Sequence, residues 1–254
     1  MKEKGEKITA LTAYEALFAG YLDHCGVDLI LVGDSAGMVF AGHDSTIPVT
    51  MEDMLYHTRA VKRSVRNAML VADLPFMSYQ ISVEDALRNA GRLLQEGGAE
   101  AVKMEGGERI LPQVKACVEA GIPVMGHLGM TPQSVNQFGG FATRGKDNAE
   151  AETLKRDALA LEKAGVFSIV LEKIPAELGK EISEMLRIPT IGIGAGVHTD
   201  GQILVTQDML GMYEKFKPKF VRRYAELASA VKTAVEDYIK DVKEDRFPAE
   251  EDSF

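Results

Sequence analysis

The chain has 254 residues, 46% of them hydrophobic and 26% charged, enough for one large α/β domain with its own core and ordinary for a soluble globular protein. A formal net charge of −9 argues against a general nucleic-acid role. Two cysteines, Cys25 and Cys117, form neither a disulfide framework nor a zinc motif; both are expected as small buried apolar residues in a reducing compartment.

The N-terminal stretch MKEKGEKITALTAY has no apolar core of signal-peptide length, and no apolar run approaches the roughly 20 residues of a membrane helix. A cytoplasmic protein with no membrane partner is expected. Ile8–Tyr14 reads as a first strand, followed by a helix over Glu15–Cys25 that Gly26 closes. Leu29–Asp34 is a second strand, apolar until Gly33 and Asp34. Thr50 is placed to cap a helix over 51–66, with Glu52 and Asp53 in its first turn. Met69–Phe76 is again apolar before an acid, Asp73, and Ser82 opens the next helix.

Residues 101–107, AVKMEGG, form a short strand that carries Lys103 and Glu105 two positions apart, hence on one face. Such charges inside a fold serve an ion, a substrate or each other, and a structural Lys–Glu pair is the plain alternative. A helix over 108–120 leads to a fifth strand, Pro123–Met130, carrying His127. The longest irregular stretch is 131–148; a long helix over 149–164 then feeds a strand, Ser168–Ile174, apolar up to Glu172. Pro175 suits the first position of the following helix. Pro189–Gly196 and Ile203–Leu210 read as the last strands. An amphipathic helix at about 218–244 is marked by Val221, Tyr224, Ala228, Val231, Val235, Tyr238 and Val242, with a sheet-covering layer as its simplest role, before a short polar tail.

Repeated strand–helix alternation over this length predicts a single-domain (β/α)8 TIM barrel, residues 1–254. A doubly wound open sheet competes, but it carries its glycine fingerprint after the first strand, where this chain has Thr-Ala-Tyr-Glu. Asp34, Asp73, Glu105 and Glu172 each fall at or near the C-terminal end of a strand, the active-site face of such a barrel. Carboxylates meeting there repel unless a cation neutralises them or some keep a proton. Oxygen donors from separate strands suit Mg²⁺. His127 ends a strand on the same face and is a possible substrate-proximal residue, whereas no His or Cys spacing supports zinc.

The chain resembles the ketopantoate hydroxymethyltransferase (3-methyl-2-oxobutanoate hydroxymethyltransferase) family along its full length. The resemblance is carried by LTAY (11–14), VGDS (32–35), GHDSTIPVT (42–50), ADLPFMSY (72–79) and VKMEGGE (102–108). It continues through GHLGMTPQSVN (126–136), LEKIPAEL (171–178), IGIGAG (191–196), DGQILV (200–205) and FPAEEDSF (247–254). The resemblance implies a (β/α)8 barrel with Mg²⁺ on Asp34, Asp73 and Glu105. It implies substrate contacts from Asp34, Ser35, Asp73 and Lys103, and Glu172 as the catalytic proton acceptor. It implies hydroxymethyl transfer from 5,10-methylenetetrahydrofolate to 3-methyl-2-oxobutanoate through a Mg-stabilised enolate. The product would be 2-dehydropantoate, on the way to pantothenate and coenzyme A. It further implies a homo-oligomer, a homodecamer by family pattern. Four features depart from that pattern: Glu15, Ala36, Lys173 and the loop FATRGK at 141–146. Two other readings share much of this ground. One is a carbon–carbon lyase or phosphonomutase acting on a 2-oxo acid; the other is a binding protein that kept the barrel without catalysis.

Overall fold

Eight short apolar runs pair side by side, all parallel and in sequence order, until the last hydrogen-bonds to the first. The computed structural model, which describes residues 1–215 and 217–254, places them at β1 (Ile8–Thr12), β2 (Leu29–Val32), β3 (Met69–Asp73), β4 (Ala101–Glu105), β5 (Val124–Gly129), β6 (Ser168–Glu172), β7 (Thr190–Ile193) and β8 (Gly201–Leu204). Closure is by β8 against β1, with Ile8 opposite Gly201. Parallel neighbours require crossover connections, and helices supply most of them. This is the (β/α)8 barrel that the alternation predicts.

The crossover helices begin where local chemistry starts them. Thr50 and Asp53 form a reciprocal capping box on Met51–Lys62, Ser82 Oγ accepts from Asp85 N at 3.0 Å, and Asp147 Oδ1 accepts from Glu150 N at 2.9 Å. Pro175 takes the cap position instead of the first helical turn, and the helix runs over Ala176–Met185. The strands stop earlier than their apolar runs, because pairing ends where the chain turns toward the next helix. The largest such difference is at 203–210, where β8 ends at Leu204 and Thr206–Met209 is helical. The irregular stretch after β5 contains two short turns, Pro132–Ser134 and Val135–Phe138. Cys117 is buried as expected, whereas Cys25, at the end of the first helix, is exposed.

The strands have two different faces. Ala10, Leu29, Leu31, Val71, Ala101, Met125, Val170, Ile191 and Ile203 form one buried cluster inside the barrel. Residues of opposite parity, such as Ala72, Val102, Leu128 and Leu171, belong to a second cluster with the surrounding helices. Burial on both faces explains why the strands read as nearly continuous apolar runs.

The chain divides into two compact units, Met1–Val205 and Thr206–Phe254. The first contains the whole barrel. In the second, the 3/4 spacing does make a helix, over Leu227–Lys243, but none of its residues is buried. Val231, Val235, Tyr238 and Val242 are exposed along it. Periodicity specifies the helix and the stripe, not what lies against them. No helix among the described residues is long and apolar enough to cross a membrane.

Candidate active site

Side chains alternate along a strand, so two steps from an inward-facing residue lead to another on the same face. From Val71, Ala101, Met125 and Val170, those two steps lead to Asp73, Lys103, His127 and Glu172. The apolar interior of the barrel is thus capped by a charged layer at the C-terminal strand ends, the face on which such barrels place their chemistry. The parallel register sets Asp73 beside Lys103 and Glu105 beside His127. Asp34 joins from just beyond β2. Asp34, Asp73, Glu105 and His127 are each 3% exposed and Lys103 4%.

Two glycines shape these strand ends. A Cβ on Gly33 would lie 2.7 Å from Ser35 Oγ and displace that hydroxyl; beside it, Asp34 N donates to Asp73 Oδ2 at 3.0 Å. Gly129 has φ +93°, and a Cβ there would sit 2.2 Å from the Glu172 carbonyl oxygen. That oxygen instead accepts from Met130 N at 2.8 Å, fixing the strand end that carries Glu172.

Lys103 Nζ is 3.0 Å from Asp73 Oδ1 and 3.1 Å from His127 Nδ1. His127 lies between two carboxylates, its Nδ1 3.4 Å from Glu105 Oε1 and its Nε2 3.3 Å from Glu172 Oε2. Burial, then the charges of Asp73 and Glu105, push the Asp34 carboxyl well above the usual carboxylate range. Burial also raises Asp73, and the opposing pull of Lys103 does not cancel it. For Glu105 burial acts upward too, but hydrogen bonding to and the charge of His127, together with Lys103, hold it below its ordinary value. Burial disfavours charge on Lys103, yet the three surrounding carboxylates outweigh it and keep the ammonium charged. His127 is opposed by burial and by Lys103, and Glu105 and Glu172 together raise it above an ordinary histidine. Asp34 is therefore the carboxyl on which the site most readily keeps a proton.

The sequence reasoning missed Gln133, which ties this layer together. Its Nε2 donates to Asp34 Oδ2 at 2.8 Å and to the Leu74 carbonyl at 2.9 Å. Its backbone N–H donates to Glu105 Oε2 at 2.9 Å. Its Oε1 accepts from Tyr79 Oη at 2.8 Å and Gln80 Nε2 at 3.0 Å. One buried residue thereby joins the Asp34 carboxyl just beyond β2, through its side chain, to the Glu105 carboxylate at the end of β4, through its backbone. Its only sequence signal is a polar residue inside TPQSV just after β5. Ser35, half-buried, shares a 2.8 Å hydrogen bond with the Tyr14 hydroxyl, which fixes its place beside Asp34.

The donor set is chemically suited to a hard divalent cation. Asp73 Oδ1 and Glu105 Oε1 are buried and accept no well-formed hydrogen bond among the described residues; Lys103 and His127 are their ion-pair neighbours. As they stand, however, no three His, Cys, Asp or Glu side chains among the described residues are gathered so as to hold a metal ion. Lys103 and Gln133 occupy positions between the acids, which limits the repulsion among them.

The departures from the family pattern also find places. Glu15 caps the first helix, its carboxylate accepting from Leu17 N at 2.5 Å and Phe18 N at 2.7 Å. Ala36 is buried and begins the turn Ala36–Val39. Lys173, directly after Glu172, has φ +48°. Its Nζ donates to the Phe141 carbonyl, and its own carbonyl accepts from Arg144 N at 2.9 Å. Lys173 and the loop 141–146 are thus bonded to each other. Arg144 also pairs with Glu150 and lies 4.1 Å over the Phe138 ring.

Comparison with known proteins agrees with this architecture. Solved structures of phosphonopyruvate hydrolase with oxalate and Mg²⁺ (TM-score 0.63, 15% identity, 98% of this chain and 89% of that one) and of 2,3-dimethylmalate lyase (TM-score 0.63, 17% identity, 98% and 86%) share the fold. At that identity the likeness speaks for the fold alone. The model of the ketopantoate hydroxymethyltransferase family matches residues 1–250. The 3-methyl-2-oxobutanoate hydroxymethyltransferase of Syntrophus aciditrophicus (strain SB) is 60% identical over 254 residues, all of this chain and 93% of that protein. The protein of the same name from Caldicellulosiruptor bescii is 58% identical over 253 residues, covering 100% of this chain and 96% of that one. The chain belongs to the ketopantoate hydroxymethyltransferase family and is an enzyme of the transferase class.

Proposed function

We propose that the chain transfers a hydroxymethyl group from 5,10-methylenetetrahydrofolate to 3-methyl-2-oxobutanoate, giving 2-dehydropantoate for pantothenate and coenzyme A synthesis. The observation that carries this reading is the buried Lys103 among Asp34, Asp73 and Glu105, one layer above an apolar barrel interior. A dry site with a fixed positive charge stabilises negative charge developing on a bound oxo acid far more than water does.

In this reading Asp34, Ser35, Asp73 and Lys103 hold the oxo acid, and Asp34, Asp73 and Glu105 hold Mg²⁺. The cation, when bound, acts as a Lewis acid on the oxo acid's oxygens. Asp73 Oδ1 and Glu105 Oε1 offer acceptor capacity that the protein leaves unused, and loss of the Asp34 proton would accompany metal binding. Lys103 directs its charge at the oxygen that becomes negative when the C3 proton leaves. Glu172 is the group that moves a proton: its side chain is 15% exposed, and its Oε2 rests 3.3 Å from His127 Nε2. The carbon nucleophile so formed takes the folate's methylene carbon as its two C–N bonds break; water supplies the hydroxyl oxygen of the hydroxymethyl group, and tetrahydrofolate leaves with its two nitrogens reprotonated. A cytoplasmic homodecamer completes the reading, supported by family membership.

Purified protein given Mg²⁺, the oxo acid and the folate donor is expected to form 2-dehydropantoate; well-folded protein that forms none overturns the assignment. In calorimetry, Glu105→Gln is expected to weaken Mg²⁺ binding by about tenfold or more, and unchanged affinity would remove Glu105 from the ligand set.

A further inference from the structure

The charged layer accounts for the oxo acid but leaves the second substrate without a place. Beside that layer is a cavity of about 510 Å³, bounded by segments that follow β2, β3, β4 and β5. It shares Glu105 and Gln133 with the charged layer, so a molecule filling it reaches the oxo acid at that end. A small branched oxo acid would leave most of it empty, whereas roughly 300–1,000 Å³ is the range of cofactor-sized ligands.

We propose that this cavity receives the one-carbon donor as a reduced pterin whose aminobenzoate tail ends in carboxylate; this rests on the hydroxymethyl-transfer reading above. Three features match that ligand. Phe76 and Ile110 line the cavity and supply apolar surface for a flat ring system. Gln113, also lining it, has a buried Oε1 with no hydrogen-bond partner among the described residues. Turned into the cavity, that unused acceptor suits the N–H donors along the edge of an aminopyrimidinone. Arg109 is exposed and held only by neutral acceptors, Ser134 Oγ at 3.0 Å and Gln137 Oε1 at 3.3 Å. No carboxylate lies within ion-pair distance of it among the described residues, so its charge is available to the carboxylate of the tail. Gln133 is the partition: its Oε1 is hydrogen-bonded to Tyr79 and Gln80, both of which line the cavity, while its Nε2 faces Asp34.

The test is calorimetric titration of tetrahydrofolate into the full-length protein and into Arg109→Ala and Gln113→Leu, with steady-state KM values for both substrates. Each variant is expected to bind tetrahydrofolate about tenfold more weakly, the effect of losing one hydrogen bond to a charged or buried group. The KM of the folate donor should rise more than that of the oxo acid. Wild-type affinity for tetrahydrofolate in both variants overturns the placement, as does an oxo-acid KM that rises as much as the donor's. Exchange of the C3 hydrogen of 3-methyl-2-oxobutanoate with D₂O by the wild-type protein needs no donor and checks the underlying reading separately. Exchange with undiminished tetrahydrofolate binding in the variants discards the cavity alone, whereas a wild-type protein that neither exchanges nor transfers discards both.

Discussion

Two layers of the barrel interior, two residues apart on the same strands, obey opposite physics. The lower layer, with Val71, Ala101, Met125 and Val170, is apolar and gains stability from excluding water. The upper layer, with Asp73, Lys103, His127 and Glu172, buries charge and needs partners for each group. The same alternation that fills the core therefore aims the chemistry, and the change of character occurs within about 7 Å of strand. Separating the two layers experimentally is the direct way to establish which gives stability and which gives activity.

Removing the cation of the upper layer should have the largest combined effect, because it strikes both turnover and stability. Lys103→Met leaves Asp34, Asp73 and Glu105 buried without it, and a turnover loss of about 10²–10³-fold is expected. A stability loss of about 3–5 kcal/mol in urea titration should accompany it; intact stability would mean that the acids neutralise themselves by taking up protons. Glu172→Gln should affect rate alone, by about 10²–10⁴-fold, because proton transfer is lost while little buried structure is disturbed. A wild-type rate would remove Glu172 from the mechanism. Met125→Ala, in the lower layer, reverses the pattern. It should cost about 2–5 kcal/mol of stability through the cavity it leaves, with the oxo-acid KM changed less than about threefold. A larger KM change would show that the layers are mechanically coupled.

The smallest effect concerns the proton on Asp34. Its carboxyl is raised in the folded protein, so the folded state holds its proton more tightly than the unfolded state. Stability from this group is fully present below the unfolded value and is lost as pH rises through the folded one. Metal-free Asp34→Asn should therefore gain about 1 kcal/mol on the wild type at neutral pH. That advantage should shrink as the solution is acidified toward the ordinary aspartate range. Thermal melts of both proteins across pH provide the measurement, and a difference independent of pH would contradict the buried-proton account.

Much of this arrangement is written in local sequence. Apolar runs that end in an acid locate β2, β3, β4 and β6, and the i, i+2 spacing alone puts Lys103 and Glu105 on one face. What local sequence does not carry is contact between distant segments. Gln133 lies 99 residues from Asp34 and 28 from Glu105, and nothing around it marks a residue whose side chain serves one acid and whose backbone serves the other. Strand ends fail for a related reason: ILVTQDML is apolar enough for a long strand, yet β8 ends at Leu204 and the next residues turn into a helix. The exposed stripe on Leu227–Lys243 shows that a correct period still leaves the neighbouring surface unspecified.

Lys173 carries a practical consequence for anyone recombining this enzyme with its relatives. The left-handed backbone directly after Glu172 is held through two bonds to the 141–146 loop, one from the ammonium and one to the peptide carbonyl. A hybrid that replaces Lys173 with an uncharged residue would lose the ammonium bond and leave the backbone pairing of residues 144 and 173 as the remaining tie between this turn and the loop.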